Sequence, residues 1–309
     1  MSIKQLLVLS GKGGTGKTTV SSSFVKLSKA RVFADCDVDA PNMHLVLHDV
    51  GEPKLTPFEG LSISQINQDK CQHCGLCYDN CRFNAIEKKP IDSDKTNKSG
   101  KSQFRYEVSE FGCEGCSVCQ LVCPAKAITM TPSITGDLKL YKKDKVVFST
   151  AQLRMGSGAS GKLVSGVKSQ LKDATDKMNL PAETVAIVDG SPGIGCPVIA
   201  SLSGVDMVLI VTEPSVSGIS DMERIIQIAQ KFGTKTAICI NKYDTNTTKS
   251  DNIENYCKKS GIPLAGKIPF DEQAGKAINM GKTVVDIKCA AADAIRVVYK
   301  NTLTILESC

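Results

Sequence analysis

The stretch Lys4–Thr19 reads KQLLVLSGKGGTGKTT. Its first part, Lys4 to Ser10, is a short apolar run of strand type that stops at Gly11, and from Lys17 to Ser28 the apolar residues Val20, Phe24, Val25 and Leu27 fall on one side of a helix. The local order is strand, glycine loop, helix. Between them, Gly11-Lys12-Gly13-Gly14-Thr15-Gly16-Lys17-Thr18-Thr19 satisfies G-x-x-x-x-G-K-[ST] in the one context that gives the pattern meaning. Glycines there let backbone N–H groups converge on phosphate oxygens at a helix N-terminus. Lys17 then neutralises β and γ charge, and the Thr18 hydroxyl suits Mg²⁺. All nine residues are therefore expected to bind a nucleotide.

The same grammar returns after residue 183. Apolar runs at Thr184–Val188, Met207–Val211, Thr236–Ile240 and Leu264–Ile268 alternate with helical stretches at 218–232, 248–260 and 271–281, and Ala290–Leu306 reads as a last helix. Unbroken apolar strands alternating with helices predict an α/β fold with a mostly parallel sheet covered on both faces. A chain of 309 residues, 41% hydrophobic and 23% charged, has apolar material enough for such a core, which excludes global disorder and fibrous folds. No apolar stretch reaches the roughly 18 residues of a spanning helix, and Met1-Ser-Ile-Lys4 carries no leader pattern. A cytoplasmic protein is expected.

The middle of the chain departs from this pattern. Between Cys71 and Thr131 it is rich in cysteine, with a Lys-, Ser- and Asn-rich stretch from Lys88 to Lys101 that reads as an exposed loop. Cys71, Cys74, Cys77 and Cys81 follow C-x₂-C-x₂-C-x₃-C. Cys113, Cys116, Cys119 and Cys123 repeat it, and CQHCGLCYDNCRFNAI matches CEGCSVCQLVCPAKAI cysteine for cysteine. Scattered at random, 14 cysteines would give one such quartet in about a thousand chains, so two are not chance. Cytosolic thiols stay reduced, which makes clustered ones metal ligands rather than disulfides. The expected organisation is a discontinuous domain, 1–66 and 134–309, interrupted by a small α+β domain at 67–133.

Triplets of cysteine with a trailing fourth suit a cubane: a tight loop brings three thiolates to three corners, while the fourth, one helical turn on, points to another cube. Zinc is the alternative, but it is usually held by two C-x-x-C pairs a dozen or more residues apart. The segment resembles the bacterial two-cluster ferredoxins. That resemblance implies two [4Fe–4S] clusters, one on Cys71, Cys74, Cys77 and Cys123, the other on Cys81, Cys113, Cys116 and Cys119. Arg82 stands where the second quartet has Pro124, a departure that alters the surroundings of the cluster served by Cys81. His73 reads as a loop residue or a hydrogen-bond donor to sulfur. Cys36, Cys196, Cys239, Cys257, Cys289 and Cys309 stand alone and read as buried small hydrophobes or surface thiols. With two clusters of about −2 each, the formal charge of +6 falls to about +2, so no nucleic-acid footprint is read from it.

Two acidic positions accompany the phosphate loop. Arg31-Val-Phe-Ala-Asp35-Cys-Asp37 ends a strand in D-x-D, and Ala186-Ile-Val-Asp189-Gly-Ser-Pro-Gly193 ends another in Asp before a glycine turn. The second lysine of the loop, Lys12, is unusual. With K-G-G-x-G-K-[ST] it resembles the deviant Walker A family of MinD, ParA, Mrp and the nitrogenase iron protein. The resemblance implies that Lys12 reaches a partner's nucleotide across an ATP-bridged homodimer. It implies further that Asp37 positions the attacking water and the Mg²⁺ shell, with Asp35 and Asp39 as competitors, and that Asp189 holds Mg²⁺ through water while Gly193 senses the γ-phosphate. Asn241-Lys-Tyr-Asp244 spells the guanine-reading N-K-x-D, whereas in the MinD-like family a matching Asn, here Asn241, contacts adenine. Lys12 favours ATP. Pro269-Phe-Asp271 lies where that family packs the base, or is a plain turn.

The whole chain resembles a MinD-superfamily P-loop ATPase with an inserted ferredoxin domain. Two function classes follow: an ATP hydrolase coupling nucleotide state to electron transfer or metallocluster assembly on an unidentified partner protein, or a spatial-positioning ATPase of MinD or ParA kind with redox-sensing clusters. A membrane-binding tail needs a basic amphipathic helix, and Ala290–Leu306 offers only Arg296 and Lys300, which favours the first and gives no stable membrane anchor. The insert falls in the chain between Asp37 and Asp189. Ser157-Gly-Ala-Ser-Gly-Lys162-Leu-Val164, after Arg154, looks like a further family segment without an assigned role, or a flexible connection.

Overall fold

Leu6, Leu7, Val8 and Leu9 are all fully buried, as a strand with helices on both sides requires. In the computed structural model, which describes residues 3–28, 32–48, 50–91, 104–181 and 183–308, they form β1 (Lys4–Leu9), followed by α1 (Lys17–Leu27) and β2 (Val32–Asp35). Next come β3 (Pro53–Glu59), β4 (Ile63–Ile66), α2 (Leu76–Asp79), β5 (Ile86–Pro90), β6 (Phe104–Val108), α3 (Val118–Leu121) and β7 (Ile128–Thr131). Then follow β8 (Ile134–Lys143), β9 (Val146–Leu153), α4 (Ser160–Thr175), β10 (Val185–Asp189), α5 (Cys196–Leu202) and β11 (Met207–Thr212). The chain ends with α6 (Val216–Lys231), β12 (Lys235–Asn241), α7 (Thr247–Ser260), β13 (Leu264–Ile268), α8 (Glu272–Asn279) and α9 (Ala290–Glu307).

Nine strands make one sheet in the order β13-β12-β11-β1-β10-β2-β9-β8-β3, and every pairing from β13 to β9 is parallel. The register sets Val8 beside Asp189 and Asp189 beside Asp35, so the loops leaving β1, β10 and β2 emerge at neighbouring carboxyl ends. Ligands bind open α/β sheets at such ends. Aromatic pairs fill the core: Phe33 stacks on Phe148 at 4.5 Å, and Phe24 of α1 meets Tyr299 of α9 edge-on at 5.0 Å. Among the described residues no helix is long and apolar enough to cross a membrane.

The sequence reading did not anticipate β3, β8 or β9. β3 carries Lys54, two prolines and Glu59 and is mostly exposed, the make-up of a sheet edge rather than of a buried strand. β8 holds lysines at three of its last five positions, which hides its partly buried residues. The start of the expected Lys88–Lys101 loop is also different, for Lys88–Pro90 pair with β6 as part of β5; the rest, 92–101, lies outside the described residues, as does Cys309.

The chain divides into two compact units, Met1–Thr56 with Leu138–Gln152 and Ser160–Cys309, and Pro57–Asp137 with Leu153–Ala159. In the second, β4 pairs antiparallel with β7, and β5 with β6. Each small sheet thus joins one half of the cysteine repeat to the other. The halves share backbone detail: His73, Gly75 and Asn84 have positive φ, and so do Gly115, Ser117 and Lys126 at the matching positions. Cys77, Ile86, Tyr106, Cys119 and Ile128 form the core of this unit.

Candidate functional site

α1 starts directly behind the glycine loop, with Gly16 as its N-cap, no side chain capping it and no acidic residue in its first turn. Its free amides and dipole therefore face the loop, an arrangement that attracts an anion. Gly16 has φ 91°, and a Cβ there would come within 2.2 Å of the Asn241 side-chain nitrogen. Gly11 is constrained differently, because a Cβ on it would overlap Asp221.

Lys17 is 5% exposed and forms the centre of the site. Its Nζ lies 2.9 Å from Asp189 Oδ2 and 3.9 Å from Asp37 Oδ2. Burial pulls its pKa down, but Asp189 at contact distance, with Asp35 and Asp37 behind it, outweighs burial and holds the ammonium above its ordinary value. Asp189 also accepts hydrogen bonds from Thr18 Oγ1 at 2.7 Å and Ser21 Oγ at 2.8 Å. A hydroxyl and a carboxylate meeting behind a phosphate loop are the hard oxygen donors that Mg²⁺ takes.

The three aspartates after β2 separate by environment. Asp35 is fully buried and spends its oxygens on backbone: Oδ1 accepts from Asp37 N, and Oδ2 from Asn42 N and Met43 N, at 2.9–3.0 Å. It shapes the loop. Asp39 is exposed, with its carbonyl accepting from Gln152. Asp37 alone of the three is half-exposed with its carboxylate toward Lys17, and burial, only partly opposed by Lys17, raises its pKa. In the glycine turn after β10, Gly193 (φ 96°) donates its N–H to the Ser10 carbonyl at 3.0 Å, tying that turn to the end of β1.

Lys12 makes a contact that sequence reasoning missed. Its Nζ pairs with Glu213 at 2.5 Å and donates to Ser217 Oγ at 3.2 Å, while Lys242 approaches the other oxygen of Glu213 at 3.7 Å. Glu213 follows the end of β11, the next carboxyl end in the sheet, and that position was its signal. Asn241 donates through Nδ2 to the Thr15 carbonyl at 2.7 Å, and Lys242 Nζ donates to the Gly14 carbonyl at 3.1 Å, so the end of β12 braces the loop from behind. Beside them a cleft runs between Gly14, Gly16, Thr19 and Asn241 on one side and Pro269, Phe270 and Ala274 on the other. Asp244 accepts the Phe270 N–H at 2.8 Å and so shapes the far wall. In the Ser157–Val164 segment, Lys162 lies in the first turn of α4, and Gly161 packs so close to Cys196 that a Cβ would stand 3.2 Å from the Cys196 Cβ.

In the second unit the eight cysteines divide between two clefts. One is lined by Cys71, Cys74, Cys77 and Cys123 together with Tyr106; the other by Cys81, Cys113, Cys116 and Cys119 together with Ser64. Each takes three thiols from one half of the repeat and the fourth from the other half. Exposure repeats as well: Cys74 and Cys116 are exposed, and Cys77 and Cys119 are buried. Amide N–H groups point at the sulfurs, from His73 to Cys71 at 3.4 Å, Ala85 to Cys81 at 3.4 Å and Ala127 to Cys123 at 3.3 Å. His73 thus contributes its backbone, and its ring Nδ1 is buried with no partner among the described residues. Burial pushes the Cys77 thiol up to about 11, whereas at Cys113 hydrogen bonds from Ser64 and Gly115 overcome burial and hold the thiol below its ordinary value. Among the described residues no three His, Cys, Asp or Glu side chains converge on a point that could hold a single metal ion. A tetrahedral zinc needs its four sulfurs about 3.8 Å apart. A [4Fe–4S] cubane takes four thiolates, the donor set that lines each cleft.

The chain matches the family model described as the CobQ/CobB/MinD/ParA nucleotide binding domain over residues 6–284. It is 31% identical over 305 residues to an uncharacterized protein of Methanocaldococcus jannaschii, covering 97% of this chain and 96% of that one. Over 98 residues, 31% of this chain and 71% of the other, it is 30% identical to NADH-quinone oxidoreductase subunit I 2 of Geobacter metallireducens. Its fold is that of the septum site-determining protein MinD from Pyrococcus horikoshii complexed with Mg-ADP, at a TM-score of 0.54 and 18% identity, covering 97% of this chain and 96% of that one.

Proposed function

The chain belongs to the CobQ/CobB/MinD/ParA nucleotide-binding family, a family of P-loop ATPases, and from that premise we propose that it is an Mg²⁺-dependent ATPase that also carries two [4Fe–4S] clusters. The nucleotide phosphates lie against the α1 amides and Lys17. Mg²⁺ is held by the Thr18 hydroxyl and, through water, by Asp189 and Asp37. The base enters the cleft beside Asn241 and Phe270. ATP fits better than GTP, because Asp244, the residue that would read guanine, is engaged with the Phe270 amide. Lys12 acts on the nucleotide of a second copy in an ATP-bridged homodimer, and for that it must leave Glu213.

Asp37 is the group that orients the attacking water, since its carboxylate faces Lys17 while Asp35 is consumed by backbone amides and Asp39 is exposed. Asp37→Asn is expected to bind ATP within a few-fold of the wild-type affinity and to lose about 100-fold or more in turnover, a cost typical of a removed catalytic group. Single-turnover hydrolysis measured with nucleotide affinity checks this. Wild-type turnover in the variant refutes the assignment.

Two readings of what the ATPase drives remain. The first, coupling to electron transfer or metallocluster assembly on a partner protein, rests on the pair of clefts, each with four thiols drawn from both halves of the repeat, and the second reading uses the same clefts. The match to an oxidoreductase subunit agrees with it. The family description and the fold shared with MinD favour the other reading, a spatial-positioning ATPase whose clusters sense redox state, and the comparisons as a whole lean that way. One experiment tests the linkage that the first reading requires. The cysteine insert lies in the chain between Asp37 and Asp189, both expected to respond to γ-phosphate, so under the first reading nucleotide and clusters are linked. Potentiometric EPR titrations with ADP and with a non-hydrolysable ATP analogue are expected to differ by about 59 mV. Affinity for the analogue relative to ADP then differs about tenfold between oxidised and reduced protein, as linkage requires. Superimposable titrations and equal affinities show that the cysteine unit is only carried along, and leave a positioning ATPase without redox sensing.

A further inference from the structure

Position 64 and position 106 are equivalent in the cysteine repeat, each lying seven residues before the first cysteine of its quartet, Cys71 and Cys113. The two residues are Ser64 and Tyr106. Both are buried, at 6% exposure, and each lines the cleft made chiefly by the other half: Ser64 with Cys81, Cys113, Cys116 and Cys119, Tyr106 with Cys71, Cys74, Cys77 and Cys123. Here the symmetry of the second unit breaks. Ser64 Oγ stands 3.3 Å from Cys113 Sγ and 3.2 Å from Cys119 Sγ, and its backbone N–H also points at Cys113 at 3.5 Å. Among the described residues Tyr106 forms no hydrogen bond to a sulfur; its hydroxyl lies against Gly75, where a Cβ would come within 2.8 Å of it. Among the described residues, the hydrogen bonds to Cys71 and Cys123 come from backbone amides alone.

With both sulfurs present as ligand thiolates, the one hydroxyl proton of Ser64 is shared between Cys113 and Cys119. A donor to a cluster's thiolates stabilises the state with the greater negative charge, which is the reduced one. The full charges beside the two sites, Asp79 near one and Arg82 and Glu114 near the other, are all exposed and screened by solvent. We propose that Ser64 makes the two four-thiol sites electrically unequal, so that the cluster held by Cys81, Cys113, Cys116 and Cys119 is reduced at a higher potential than the cluster held by Cys71, Cys74, Cys77 and Cys123. This rests on the iron–sulfur reading above. Ser64 is a positioning residue on β4, not a ligand, and the same face of that strand presents Ile66 to the other cleft.

The test uses the full chain prepared anaerobically. Iron and sulfide content come first, because a protein without about eight of each refutes the iron–sulfur reading whatever Ser64 does. With clusters present, potentiometric EPR is expected to resolve two reduction waves, which Cys74→Ser and Cys116→Ser assign by each disturbing one of them. The wave disturbed by Cys116→Ser is expected at the higher potential, and the opposite order overturns the proposal without any change at Ser64. Ser64→Ala is expected to lower the reduced-to-oxidised ratio of that cluster about tenfold at fixed poise, which is 59 mV for one electron, and to leave the other wave in place. Ser64→Thr, which keeps the hydroxyl, is expected to restore it. An unmoved wave in Ser64→Ala, or an equal shift of both, overturns the proposal while leaving the clusters assigned.

Discussion

Lys17→Ala abolishes detectable nucleotide binding and destabilises the nucleotide-free protein more at pH 8 than at pH 5.5: that is the result expected in calorimetry and thermal unfolding. Lys17 is the cation among three carboxylates, 2.9 Å from Asp189 and 3.9 Å from Asp37, with Asp35 buried behind them. Removing one partner of a buried ion pair costs about 3–5 kcal/mol. Loss of the same charge from the phosphate site weakens binding by about a hundredfold or more, at 1.4 kcal/mol per tenfold. The pH dependence follows from Asp35, whose pKa burial and then Asp189 push up to about 7. A carboxyl raised in the folded state contributes stability below its unfolded pKa near 4 and loses it as pH rises through about 7. Without Lys17 the carboxylates repel one another unopposed, and protonation at pH 5.5 relieves what ionisation at pH 8 does not. Binding within tenfold of wild type, or destabilisation equal at the two pH values, contradicts this account.

Cys123→Ser is expected to remove about half of the iron, four of about eight, and to spare the cluster held by Cys113, Cys116 and Cys119, its own neighbours in sequence. Cys123 lies in the cleft of Cys71, Cys74 and Cys77, whereas Cys81 lies with the second triplet. The sheets explain the exchange, because β4 precedes the first quartet and pairs with β7 after the second, while β5 and β6 join the two inner flanks. Each fourth cysteine is thereby carried to the other half. Cys81→Ser should give the mirror result, and iron analysis with EPR of both variants decides it. Loss of the signal belonging to the other quartet, or unchanged iron, refutes crossed ligation.

Much of this was legible because it depends on short-range rules. Runs such as Leu6–Leu9 and Met207–Val211 have no reading except a strand buried on both faces, and glycines at 14 and 16, followed by Lys17, suit only a loop that turns into a helix around an anion. The spacing of eight cysteines needs no fold to mark it as two repeated quartets, a pattern that chance does not give. What stayed hidden is long-range. β3 and β8 look solvated because, toward the edge of the sheet, each has a partner but little cover, and residue pattern reports cover rather than pairing.

From its sequence alone this protein has a phosphate loop, a parallel sheet and two thiol quartets, since composition and spacing within about twenty residues are enough to demand them. The resemblance pointed to Asp37 among three candidates, and only the tertiary structure showed how the environments differ, with amides of Asn42 and Met43 on Asp35 and the ammonium of Lys17 facing Asp37. Only it brought Glu213 to Lys12, Asn241 to the Thr15 carbonyl and Ser64 to Cys113, contacts spanning 49 to 226 residues of chain. Such partners carry no local signature. A polar side chain is chosen by whatever the folded sheet sets within 3 Å of it, and that distance does not exist until the strands have paired.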